Sequence, residues 1–130
     1  MDSSNAMHMA YLQQLTSSAL GGYPNYGHWS GSGKVTLRTG PIYNSERIKA
    51  GSIDIVRNKS AYVYITAQTV TSKKLILLTG AMASGAFKAT TISSYGGAES
   101  RIHSGTKYLH FVHVDTSGNL RYSCMLPPSP

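Results

Sequence analysis

The chain's 130 residues suffice for one domain with one enclosed interior, and a second domain would leave neither with enough core. Apolar residues make up 41% and charged residues only 13%, which excludes a disordered chain and leaves Ser, Thr, Gly and Tyr to cover the surface. Twelve Lys and Arg against five Asp and Glu give a net charge of +7, which opens acidic partners, yet the basic residues are scattered as on a solvated surface.

Taken in chain order, residues 5–20 contain no Gly or Pro and space Tyr11, Leu12, Leu15 and Ala19 by three or four, which predicts one short helix. Ser4 or Asn5 would cap it and Gly21-Gly22 would end it, although Thr16-Ser17-Ser18 makes a poor helix interior. Tyr23-Pro24-Asn25-Tyr26-Gly27-His28-Trp29 then alternates rings with turn formers ahead of Ser30-Gly31-Ser32-Gly33, a pattern that reads as a loop or linker.

From Lys34 the period becomes two. Val35 and Leu37 predict a half-buried strand broken at Gly40-Pro41, and Ile53 and Ile55 repeat the pattern before the turn-rich Arg57-Asn58-Lys59-Ser60. Residues 61–66 set Val63 and Ile65 against Tyr62 and Tyr64, and the apolar run 75–79 suits a strand buried on both faces. Residues 87–93 and 108–114 add two strands, and Asp115-Thr116-Ser117-Gly118-Asn119 predicts a hairpin loop into 120–125.

Turn signals about every ten residues without intervening helices predict a mainly β fold: an antiparallel β-sandwich or barrel of about 7–8 short strands with one N-terminal helix. The chain divides into residues 1–33 (helix and aromatic join), 34–125 (β domain) and 126–130, a proline-rich tail that runs along the surface of one domain. No apolar run reaches the roughly 18 residues of a membrane span. The single cysteine, Cys124, excludes an internal disulfide, and its alternation with Leu120 and Tyr122 predicts a thiol facing the core.

Few residues suggest chemistry. Gly31-Ser32-Gly33-Lys34 lacks the upstream glycine and the following Ser or Thr of a phosphate-binding loop, since His28 and Val35 stand there. His110 and His113 fall on opposite faces of a strand, with no third ligand at regular spacing, so neither a metal site nor a cofactor is expected. Asn58-Lys59-Ser60 fits a glycosylation acceptor but equally a hairpin turn.

Glu99, Arg101 and His103 alternate along an extended segment, which would align a carboxylate, a guanidinium and an imidazole on one face. There Glu99 would take the 2′-hydroxyl proton of RNA, His103 would protonate the leaving oxygen and Arg101 would stabilise the phosphorane; a charged solvent face is the simpler account. Tyr23, Tyr26 and Trp29 in the join, and Tyr62 and Tyr64 on one strand face, are the candidate binding or interface residues, with Trp29 as anchor.

The texture of short Gly-, Ser-, Thr- and Tyr-rich strands is similar to structural or receptor-binding subunits of phage particles and other surface assemblies, a likeness of composition only. The first expectation is therefore a non-enzymatic assembly or recognition module that binds its own copies or a protein or glycan partner. A small basic metal-independent ribonuclease of toxin type is the alternative, and a glycan-binding β-sandwich the third.

Overall fold

In the computed structural model, described for residues 6–13, 21–37, 41–58, 62–81 and 86–130, the chain is mainly β, with ten strands in three antiparallel sheets. The N-terminal sheet is β1 (Met7–Gln13), β2 (Tyr23–Trp29) and β3 (Thr36–Leu37), in that order. The central sheet runs β4 (Asp54–Arg57), β5 (Tyr62–Gln68), β6 (Leu75–Ala81), β7 (Phe87–Ser93). The C-terminal sheet comprises β8 (Gly97–Ser104), β9 (Leu109–Asp115) and β10 (Leu120–Met125), with β9 in the middle.

No helix forms among the described residues, and the expected N-terminal helix is corrected: residues 7–13 are β1, paired with β2 from Met7↔Trp29 to Gln13↔Tyr23. Residues 14–20, the rest of that expectation, lie outside the described residues. The physical reason is an ambiguous pattern. Leu12 fits the expected helix stripe, but Ala10 and Leu12 also occupy alternate strand positions, and pairing with β2 lets both pack against the buried cluster that contains Tyr26 and Ile65. The aromatic join is likewise a strand and not a loop, so strand structure begins well before residue 34.

The central sheet carries one apolar cluster on each face. Val63, Ile65 and Ala67 of β5 and Ile76 and Leu78 of β6 join Tyr26, Ile42 and Ile48 in the first, with Phe87 packed against them. Tyr64, Leu75 and Leu77 join Ile102, Leu109 and Phe111 of the C-terminal sheet in the second. Alternate residues thus serve opposite clusters, which is why Leu75-Ile76-Leu77-Leu78 is an unbroken apolar run.

The two flanking sheets are attached differently. On the N-terminal side, Ile48 pairs with both Gly22 and Thr69, bridging β2 to the end of β5. Gly21 makes this approach possible: its φ is +100°, and a Cβ there would stand 1.8 Å from the Ile48 carbonyl oxygen.

On the C-terminal side, polar groups line the seam between β8 and the central sheet. Gln68 Nε2 donates to the Glu99 carbonyl at 2.6 Å, and Gly97 N–H donates to Gln68 Oε1. Ser100 Oγ donates to the Ser52 carbonyl, and Asp54 Oδ2 accepts from Ile102 N–H at 3.0 Å. Because Ser52, Gln68 and Ser100 are buried, these bonds supply partners that water cannot.

Candidate functional site

The inner face of the C-terminal sheet packs on the second cluster, so its outer face holds the residues free to act. Register places Cys124 opposite His110 and His110 opposite His103 in one cross-strand row, and Tyr122 opposite Val112 and Val112 opposite Arg101 in the next. Leu120 and Val114 pair beyond them, and Glu99 follows at the β8 bulge between Gly97 and Ser100. Glu99, Arg101, Val112 and Leu120 rim a shallow concavity of about 90 Å³.

Glu99, Arg101 and His103 are all exposed, and Arg101 and His103 share the outer face, but Glu99 falls at the bulge and the ends of the trio are far apart. Four residues at about 3.3 Å each put Glu99 roughly 13 Å from His103 along β8. His110 is the nearer partner: its ring centroid lies 6.3 Å from that of His103. Its Nδ1 is 2.6 Å from the Tyr122 hydroxyl, and the two rings are stacked at 6.0 Å. Partial desolvation, and then the Cys124 thiol alongside, raise the Tyr122 phenol above its ordinary value, so it is a protonated hydroxyl at neutral pH.

His113, one strand position from this face, points inward as alternation requires and is buried. Its Nε2–H donates to the Tyr95 carbonyl at 3.2 Å, a tautomer assigned because a carbonyl only accepts, and its Nδ1 has no hydrogen-bond partner. Burial pushes its pKa down; the Tyr95 carbonyl and Asp115 oppose this and Arg121 adds to it. His110 and His113 thus stand on opposite faces.

The Asp115–Asn119 loop is tightly built. The Asp115 carboxylate accepts from Ser117 and Asn119 N–H at 2.9 Å and from Arg121 Nε at 2.7 Å. Those bonds, Arg121 first, hold its pKa at about 2. Arg121 also lies over the Tyr95 ring at 4.0 Å from the centroid.

Cys124 is exposed, which corrects the expectation of a core-facing thiol. Period two shows that Leu120, Tyr122 and Cys124 share a face but not which face is covered. Arg121 takes the inward position because Asp115 is there to receive it, and Met125 packs on the second cluster.

Among the aromatic interface candidates, Tyr26 is 2% exposed and Tyr64 0% exposed, each inside a core cluster. Tyr26 is linked to His8 Nδ1 at 2.8 Å, and the Tyr64 hydroxyl donates to the Pro128 carbonyl at 3.1 Å, which fastens the tail to the domain. Tyr62 is half-buried against the second cluster. Tyr23 and Trp29 are half-buried, and the Trp29 indole N–H donates to the Gly33 carbonyl at 3.1 Å. The Asn58 side chain is engaged within its hairpin: Oδ1 accepts from Tyr62 N–H, and Nδ2 donates to the Tyr64 hydroxyl.

His110 and Tyr122 were not singled out by sequence as site members. Their only signal was odd-even parity across two strands, which needs the β9–β10 and β8–β9 registers to become meaningful. Comparison of the chain with protein-family models, with curated proteins and with solved structures gives no match.

Proposed function

We propose that the protein is an assembly or recognition module whose contact surface centres on β10, with a second copy as its first partner. The observation that carries this reading is the exposure of apolar side chains along that strand: Leu120 is 74% exposed and Tyr122 62%, beside Val112 at 39%. Exposed apolar neighbours in register form a patch, and such patches mark contacts.

The strand's position supports it. Among the described residues β10 is the last strand of its sheet, and one row of its backbone groups lacks a strand partner there. Natural edges are usually blunted by proline or outward charge, whereas β10 contains no proline and its one charge, Arg121, is tied to Asp115. Antiparallel pairing of two β10 edges would join two C-terminal sheets about a two-fold axis, a closed arrangement in which like meets like. A sandwich-like stacking of the three sheets accords with this reading, because it leaves the outer face of the C-terminal sheet uncovered. Tyr23 and Trp29 form a second, smaller contact candidate on β2.

Sedimentation of the wild-type chain at several concentrations tests the proposal. A defined oligomer is expected, and Leu120→Lys should weaken association at least about tenfold, equivalent to about 1.4 kcal/mol. Its thermal unfolding should hardly move, because the side chain lies outside both clusters. A wild-type protein that stays monomeric up to its solubility limit overturns self-association.

A further inference from the structure

We propose that His103 and His110, with Arg101 beside them, form a metal-independent site that cleaves single-stranded RNA by internal transesterification. RNA carries its own nucleophile, the 2′-hydroxyl. The protein must supply a group that accepts its proton, a second that protonates the leaving 5′-oxygen, and a cation for the phosphoryl oxygens.

The outer face of the C-terminal sheet holds this set. His103 and His110 are direct cross-strand partners with ring centroids 6.3 Å apart, close enough for both to reach oxygens on one phosphorus. Glu99 stands roughly 13 Å from His103 along β8, whereas His110 is the direct cross-strand neighbour of His103 and the better placed partner. Arg101 lies two residues from His103 on the same face, about 6.6 Å along the strand. Its Nη1 donates to the Ser100 carbonyl at 2.8 Å, which steadies the guanidinium and leaves other N–H groups for a phosphate.

The Tyr122 contact divides the roles. In the imidazolium form, His110 Nδ1–H donates to the Tyr122 oxygen, and Nε2–H is left to act as general acid. Any side chain at Gly105 would crowd that nitrogen, since a Cβ there would stand 2.9 Å from His110 Nε2. The exposed His103, neutral, is the general base.

His103 takes the 2′-hydroxyl proton, and the 2′-oxygen bonds to phosphorus. The bond from phosphorus to the 5′-oxygen breaks, and that oxygen receives the proton from His110. The products are a 2′,3′-cyclic phosphate and a 5′-hydroxyl. One proton is taken and one given, so no metal or redox partner enters.

The surface also fits the substrate class. The stacked ring of Tyr122 offers a face to an unpaired base, and the concavity is too shallow to enclose one, which favours single strands with little sequence preference. The net charge of +7 draws in a polyanion. This site goes beyond the assembly reading and fails separately from it, because Leu120→Lys, which weakens the contact, leaves His103, His110 and Arg101 in place.

The test uses the full chain, a fluorescent single-stranded RNA oligonucleotide, excess EDTA and the matching DNA. Expected is RNA cleavage to 2′,3′-cyclic phosphate and 5′-hydroxyl ends, with the DNA intact. His103→Gln and His110→Gln, both at positions outside the cores, should each lose at least about a hundredfold in rate with unchanged unfolding curves. The positioning role of Tyr122 predicts that Tyr122→Phe lowers kcat while KM stays near wild type. Intact RNA with wild-type protein, equal cleavage of DNA, or wild-type rates in both histidine variants would each overturn the proposal. The histidine double variant, purified identically, reads out contaminating nuclease.

Discussion

β2 and β10 belong to the sheets packed on opposite faces of the central sheet, and they dispose of their aromatic residues in opposite ways. On β2, Tyr26 turns inward, stacks near His8 and meets the edge of Phe87 with centroids 5.7 Å apart. On β10, Tyr122 turns outward and is held from the side by His110. The neighbours decide the difference. β2 lies between two strands and faces the apolar surface of β5 and β6, whereas the inward positions of β10 are Arg121, Ser123 and Met125. A tyrosine is buried where a neighbouring sheet needs its volume and displayed where the inner positions are already filled.

Tyr26→Ala should cost about 3–5 kcal/mol of folding stability, as for a large buried aromatic. Tyr122→Ala should stay within about 0.5 kcal/mol of wild type, as for an exposed position. Denaturant unfolding of both variants measures the contrast, and equal losses would refute the inside-outside assignment of the two strands.

Acid should lower stability by less, because the inner face of the C-terminal sheet carries titratable groups. His113 is depressed in the folded state, so the neutral form is favoured by folding. Its contribution is present above the ordinary value of 6.5 and is lost as pH falls below it. Asp115 is also depressed, from 3.8 to about 2, so its contribution is present above about 4 and is lost as pH falls toward 2. Unfolding measured against pH should show both losses. In Asp115→Asn the lower one should vanish, leaving the loss below pH 6.5.

The smallest expected effect is chemical. In the native protein, Cys124 should react with a thiol reagent at a rate close to that in the unfolded chain, with little change in thermal unfolding after modification. Protection of the thiol until global unfolding would place that face of β10 inside.

Much of the sheet content was legible from particular residues. Alternation at Ile53 and Ile55, the unbroken Leu75–Leu78 run and the Asp115–Asn119 turn each correspond to an observed element, because these signals depend on a strand's own pleat or on a loop's own hydrogen bonds. The buried seam of Ser52, Gln68 and Ser100 was less visible. Its trace in the sequence is the polar Thr66 and Gln68 in a strand otherwise made of Tyr, Val, Ile and Ala.

Local periodicity and turn chemistry suffice to make the chain mainly antiparallel β. Strand pairing and sheet packing, not local pattern, make residues 7–13 a strand, turn the Cys124 thiol outward and set His110 beside His103. Each of these depends on which strand lies alongside and which face another sheet covers. That information resides in residues far apart in the chain, such as Trp29 for Met7 and Phe111 for Ser123, and period two is blind to it.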